Sequence, residues 1–487
     1  MKEQAGCGLK KNDLFELKIE DIGSEGEGIG RYDGFTFFVK DATAGDVITA
    51  RVLKLKKNYG FARVEKILTP SPDRVTPRCP VAKQCGGCQL QHLSYEKQLE
   101  YKHNKVKNCL ERIGGIENPV MEPILGMTEP YYYRNKAQFP VGVGKDGKPV
   151  IGFYAGRTHS IIDTEHCYIQ ARVNECLMAA VREFLTEYQI APYEEESGTG
   201  LVRHILTRVG FTTGEIMVCP VLNGDKLPHA EALLAKLQKA VEEYNQKTAL
   251  QVAEIAGERK EPIFKLQSLC FNVNKERTNV ILGTKIIPYY GETYITDYIG
   301  EVKYQISPLS FYQVNPSQTR VLYEQALAYA DLAGGEIVWD LYCGIGTISL
   351  FLAAKAKQVY GVEIVPEAIA DAKKNAALNG ISNAEFFVGA AEDVLPAQYE
   401  KSGGTMRADV IVVDPPRKGC EESLLATIVA MQPKRVVYVS CDSATLARDV
   451  KYLGEHGYEY VKARVVDQFG QSGHCETVCL LVRKASR

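Results

Sequence analysis

Polar and apolar positions alternate from Leu9 to Leu68, broken by glycine-rich turns. Phe15-Glu-Leu-Lys-Ile19 is followed by Gly23-Ser-Glu-Gly-Glu-Gly-Ile-Gly30, Phe35-Thr-Phe-Phe-Val39, Asp46-Val-Ile-Thr-Ala-Arg-Val-Leu53 and Gly60-Phe-Ala-Arg-Val-Glu-Lys-Ile67. Period-two runs of this length predict five short strands closing a small barrel. Pro70-Ser-Pro-Asp-Arg-Val-Thr-Pro77 then reads as a linker. Over residues 94–114, Tyr95, Leu99, Val106 and Leu110 recur at helical spacing and predict a core-facing stripe. Strand-like runs at 150–154, 160–162, 201–209 and 215–219 alternate with helical stretches near 172–188 and 230–244, an α+β pattern. From Ile306 the alternation becomes regular, with strands at 336–342, 359–364, 384–388, 410–413, 435–440, 458–466 and 478–482 and helices in most gaps. That predicts a doubly wound, mostly parallel sheet. The expected fold class is multidomain α/β, divided at 1–69, 70–305 and 306–487.

Charge changes the picture only locally. The 58 basic and 60 acidic residues nearly cancel, so any RNA-binding face has to be a local feature. Such a face is expected on the barrel. There Arg51, Lys54, Lys56, Lys57, Arg63 and Lys66 stand against the single Glu65, with Tyr32, Phe35, Tyr59 and Phe61 interleaved. Cations track phosphates and rings stack on bases. Tyr131-Tyr-Tyr-Arg134-Asn-Lys136 is a second place where rings and cations meet. The start, Met1 to Cys7, has no apolar core for a signal peptide, and no apolar run is long enough to span a bilayer. A cytoplasmic protein without membrane contact is expected, and there fourteen cysteines are expected to bind metal or do chemistry rather than form disulfides.

Three of them cluster in Cys79-Pro-Val-Ala-Lys-Gln-Cys85-Gly-Gly-Cys88. A tetrahedral or cubane site needs a fourth thiolate, for which Cys109, Cys167, Cys176, Cys219 and Cys270 are candidates. Cys167 is the choice, because Ile161-Ile-Asp-Thr-Glu-His-Cys167 runs from a strand into a turn. One triplet plus a distant cysteine leans towards a four-iron cluster, since structural zinc prefers two paired knuckles. The first gap holds five residues, so the triplet is not that of the radical S-adenosylmethionine enzymes.

The third region carries candidate chemistry at its strand ends. Asp340-Leu-Tyr-Cys-Gly344-Ile-Gly346 follows the first strand, and Glu363 ends the second, about twenty residues on, where a carboxylate accepts ribose hydroxyls. The dinucleotide fingerprint's third glycine is missing, which favours S-adenosylmethionine over a pyrophosphate. Arg435-Val-Val-Tyr-Val-Ser-Cys441 reads as a buried strand, and from Asp442 a helix begins, with Leu446, Val450 and Leu453 on one face. The helix dipole at that point is expected to favour a thiolate on Cys441. Val412-Val-Asp414-Pro-Pro-Arg417 lacks the aromatic residue of amino-nitrogen methyltransferases and, at Pro416, the cysteine of cytosine-5 enzymes. What remains is Cys441 with a late carboxylate, Glu476, in Gln471-Ser-Gly-His-Cys475-Glu476. The pair suits uracil C5: thiolate addition to C6 makes C5 nucleophilic, and a base then removes the C5 proton. Asp414 belongs near the reacting base and the methyl donor.

These motifs make the chain resemble, over nearly its whole length, the bacterial RNA uracil-5-methyltransferases. It closely resembles the 23S rRNA branch, which carries an RNA-binding TRAM domain and a four-iron cluster. The resemblance implies that Cys79, Cys85, Cys88 and Cys167 hold a 4Fe-4S cluster. It implies that Gln313 (in Ser310-Phe-Tyr-Gln-Val-Asn315), Tyr342, Glu363 and Asp414 hold S-adenosylmethionine, with Cys441 as nucleophile and Glu476 as base. It also implies that the 94–114 helix packs on the catalytic region, and a monomer acting on rRNA, or with the same chemistry on tRNA, is expected. A non-catalytic RNA-binding or assembly factor is the alternative class. Two positions depart from the family pattern: Gly389 replaces a polar residue, and Cys475 an apolar one.

Overall fold

In the computed structural model, residues 8–156, 158–254 and 261–485 are described. The Met1–Cys7 segment read for a signal peptide lies outside them. Strands β1 (Leu14–Ile22), β2 (Gly28–Tyr32), β3 (Phe35–Lys40), β4 (Val47–Leu55) and β5 (Tyr59–Thr69) form a closed barrel in the order β1-β2-β3-β5-β4. Alternation makes it: β1 buries Phe15, Leu17 and Ile19 and exposes the residues between them. Phe35 belongs to this core, and Tyr32 packs against it, so neither is part of an exposed ring platform as the sequence suggested. Phe38, Tyr59 and Phe61 instead form an outer cluster with centroids 5.6–5.9 Å apart. The 70–77 segment is no loose linker. Arg74 pairs at 2.5 Å with Asp46, a carboxylate wholly buried in the barrel.

After it come α1 (Tyr95–Arg112), capped by the Ser94 side chain, and β6 (Met121–Leu125). Next are β7 (Lys136–Val143), β8 (Pro149–Tyr154), β9 (Ile161–Asp163), α2 (Asn174–Glu187), β10 (Val202–Val209), β11 (Glu215–Leu222), α3 (Ala230–Glu254), β12 (Lys265–Val273) and β13 (Lys285–Gly291). Seven of these strands make one sheet, in the order β13-β12-β11-β10-β7-β8-β9. The hairpin β14 (Ile295–Ile299) and β15 (Val302–Ile306) leads into α4 (Pro316–Ala330).

The remaining elements alternate: β16 (Ile337–Leu341), α5 (Thr347–Ala353), β17 (Gln358–Glu363), α6 (Pro366–Leu378), β18 (Ala384–Val388), α7 (Ala391–Lys401), β19 (Val410–Val413), α8 (Glu422–Met431), β20 (Arg435–Ser440), α9 (Ser443–Glu455), β21 (Tyr458–Val466) and β22 (Glu476–Arg483). Their sheet runs β18-β17-β16-β19-β20-β22-β21-β6, parallel through β20 and antiparallel at β22. Its inner strands are apolar on both faces, as helices on both sides require: all of Val410–Val413 is buried. The edge strand β6 comes from the region assigned to the middle domain, and α1 lies against α9, so this sheet and its helices also draw on residues before 306. A five-residue edge strand with Pro123 at its centre gives sequence reasoning little to read. Among the described residues no helix is long and apolar enough to cross a membrane.

Candidate active site

Leu341 of β16 lies opposite both Val362 and Val413, and Val413 opposite Tyr438. The residues that end or follow these parallel strands therefore line one edge: Glu363, Tyr342, Asp414 and Cys441. Strand β22 meets that edge from the opposite direction. Ser440 pairs with Thr477, which places Glu476 beside Cys441. One sheet edge thus gathers five of the chemistry-bearing residues read from the sequence.

Its first half suits a nucleoside. Tyr342 turns the chain with φ at 71°, a strained backbone for a non-glycine residue at a strand end. Gly346 follows at φ 80°, and a Cβ there would lie 3.1 Å from Phe386 and 3.2 Å from Ala372. The two carboxylate oxygens of Glu363 accept from the amides of Gly344 (3.3 Å) and Val365 (3.1 Å), and both keep acceptor capacity for a diol. Gln313 stands on the loop into α4, its carbonyl accepting from the Asn135 amide at 3.0 Å. Among the described residues no hydrogen bond joins its side chain to Tyr342, Glu363 or Asp414. Sequence reasoning gave no role to Asp340. It is wholly buried, one oxygen accepts from Ser349 Oγ at 2.5 Å, the other has no partner among the described residues, and burial raises its pKa to about 7. An acidic residue inside an apolar strand was the available signal.

The second half is a cluster of acids that share one environment. Burial pushes the Cys441 thiol up to about 12, and the Glu476 and Asp414 carboxyls push it the same way. The expected thiolate is therefore disfavoured here, because desolvation outweighs one helix terminus. Glu476 is 3% exposed, with its pKa well above the carboxylate range through burial and then Asp414. Its Oε2 has no partner among the described residues. Asp414 is raised to about 7 by burial. Arg417 alone opposes these shifts on Cys441 and Glu476 from the cationic side, a contribution the sequence motif did not reveal. Cys475 packs in the apolar core under the sheet, and Gly389 donates its amide to the Glu363 carbonyl.

A separate cavity of about 350 Å³ is lined by Cys79, Cys85, Cys88 and Cys167. The 79–88 segment docks on the end of β8, where Gly86 donates to the Tyr154 carbonyl and Gly156 to that of Gln84. Burial raises Cys88 to about 12 and Cys167 to about 11, and each thiol feels the charge of others in the set. Cys109, Cys176, Cys219 and Cys270 lie elsewhere, on α1, α2, β11 and β12. As placed, no three His, Cys, Asp or Glu among the described residues form a group that could hold a metal ion. Four thiols on one cavity are nevertheless the donor set that soft iron–sulfur centres take.

Comparison with known proteins bears on the sheet edge and on the barrel. The family model described as tRNA (Uracil-5-)-methyltransferase matches residues 292–484, and that of the TRAM domain residues 10–64. An uncharacterized RNA methyltransferase of Halalkalibacterium halodurans is 50% identical over 99% of both chains, and one of Clostridium tetani 47% identical over 97% of both. Among solved structures, the tRNA (uracil-54, C5)-methyltransferase of Pyrococcus abyssi, in complex with S-adenosyl-L-homocysteine, superposes with a TM-score of 0.74. It is 28% identical and covers 96% of this chain and 99% of its own.

Proposed function

The chain belongs to the S-adenosylmethionine-dependent RNA uracil-5-methyltransferases, and from that premise we propose that it methylates C5 of a uridine in 23S rRNA through a covalent adduct on Cys441. The observation that carries the mechanism is the juxtaposition of Cys441 and Glu476 across β20 and β22.

Gln313, Tyr342, Glu363 and Asp414 hold S-adenosylmethionine, which supplies an electrophilic methyl group when bound. The Cys441 thiolate adds to C6 of the uracil, and the C5=C6 electron pair makes C5 the nucleophile. C5 takes the methyl group as the donor's S–CH3 bond breaks and its electron pair stays on sulfur, leaving S-adenosylhomocysteine; the Glu476 carboxylate then takes the C5 proton. The C5–H electrons restore the double bond, and the C6–S bond breaks to release the thiolate. Both groups must ionise to act, and Arg417 is the cation that favours those forms in an otherwise acidic pocket. The orphaned Glu476 oxygen suits this role, since substrate supplies the partner that the protein withholds.

Cys79, Cys85, Cys88 and Cys167 hold a 4Fe-4S cluster, which ties the 79–88 segment to the turn after β9. It sits apart from the catalytic edge and serves structure or RNA placement. The protein acts as a monomer, with the barrel and the cysteine module gripping RNA outside the target base. Pairing of a TRAM barrel with that module supports the ribosomal substrate. A transfer-RNA substrate is the second reading, supported by the Pyrococcus abyssi enzyme. Mapping 5-methyluridine by mass spectrometry in RNA from cells with and without the gene separates them. Loss from 23S rRNA is expected, and loss from tRNA moves the enzyme to the second substrate.

A further inference from the structure

Residues 467–475 connect β21 to β22. Val466 pairs with Glu476, so the connection starts just after the partner of Glu476 and ends just before Glu476 itself. Connections between strands ordinarily run over the surface, where water meets their backbone polar groups. This one is buried, with Asp467 and Gln468 wholly inaccessible and Gln471 at 2%. Polar groups remote in sequence replace the water. The Asp467 carboxylate accepts from Lys102 Nζ at 2.5 Å, 365 residues away, and from the Tyr95 hydroxyl at 2.7 Å. Lys102 also donates to the Phe469 carbonyl at 3.0 Å. Gln98 exchanges two hydrogen bonds of 3.1 Å with Gln471. All these partners lie on one face of α1. The same helix reaches the barrel, where Lys105 bridges the carbonyls of Ser24 (2.8 Å) and Gly473 (3.1 Å).

Lys102 and Asp467 are both 0% exposed. Desolvating such a pair is so unfavourable that well-packed apolar residues are often as stable or better. A pair retained here fixes geometry more than it adds stability. We propose that Lys102 is a positioning residue for Glu476: through Asp467 it fixes the buried connection that leads directly into Glu476 and so presents the proton-accepting carboxyl beside Cys441. This rests on the covalent reading above and assigns Lys102 to its second half, in which the C5 proton moves to Glu476 and the thiolate leaves C6. Helix α1 begins just past the cysteine triplet, so the catalytic base takes its position from a segment outside the methyltransferase sheet.

The test uses the full-length holoenzyme with unmodified 23S rRNA and tRNA transcripts, following turnover and the denaturant-stable RNA–protein complex together. Wild type and Glu476→Gln run alongside. If Glu476→Gln accumulates no covalent complex, the covalent reading fails whatever Lys102 does. With that control positive, Lys102→Met is expected to bind S-adenosylmethionine as wild type does, to turn over about tenfold to a hundredfold more slowly and to accumulate the covalent complex. Lys102→Met combined with Asp467→Asn leaves no unpaired charge and carries the same test if the single variant does not fold. Wild-type turnover in a folded variant overturns the proposal. So does slower turnover without accumulated complex, which is the signature of general structural damage.

Discussion

Cys441 and Glu476 stand side by side, each one residue beyond the Ser440–Thr477 pair that ends the β20–β22 ladder. An acid within reach of a thiol raises the cost of ionising either, and burial raises it further. A site of this kind favours the protonated form of both groups.

Replacing the base separates the two halves of the reaction. Glu476→Gln keeps size and hydrogen-bonding capacity but cannot take a proton. Turnover is expected to fall about 10²- to 10⁴-fold, with the RNA–protein adduct accumulating on a denaturing gel. Full activity in this variant would remove Glu476 from the mechanism.

The buried acids give stability a definite pH dependence. Asp340 has a folded-state pKa near 7 against an ordinary value of 3.8, so the native state binds the extra proton. Its penalty is absent below pH 4 and grows as pH rises towards 7. Asp340→Asn is expected to raise Tm at pH 8 by roughly 2–4 °C, with the gain vanishing by pH 4. Differential scanning calorimetry at the two pH values checks the sign. An equal gain at both would mean that ionisation of Asp340 is not the cause.

Much of this site is legible in the sequence, because strand ends are easy to find. An apolar run stopping at Cys441, with Asp442 as helix cap, already fixes where the thiol must be. Other parts are not legible. The thiolate expectation weighed a helix dipole but not the carboxyls that only the fold brings near. Residues 467–475 are rich in Gly, Ser and Gln, a composition that gives no sign of burial, yet they are buried because Lys102, Gln98 and Tyr95 satisfy them from far away. Arg417 could be named from the motif but its effect on Cys441 and Glu476 could not.

Anaerobically purified protein is expected to contain about four irons per chain and to show thiolate-to-iron absorption. Cys167→Ser should lose most of that iron. Stoichiometric zinc without iron in the unaltered protein would overturn the cluster assignment.

The barrel makes a separate prediction. Tyr59, in edge contact with Phe38 and Phe61, is 38% exposed and available to stack on a base. Stacking contributes about 1–3 kcal/mol per base, so Tyr59→Ala should weaken RNA binding about tenfold or more and leave S-adenosylmethionine affinity unchanged. Equal RNA affinity by filter binding would move the platform elsewhere.

The covalent adduct is the central claim, and trapping it is the most direct measurement. A fluorine at C5 cannot leave as a proton does, so target RNA transcribed with 5-fluorouridine should stall on the enzyme after methyl transfer. Peptide mass spectrometry is expected to find the modified nucleotide on Cys441, with no adduct in Cys441→Ala. Active enzyme that methylates unmodified RNA yet forms no adduct with the fluorinated substrate, or forms it on another cysteine, would contradict the account.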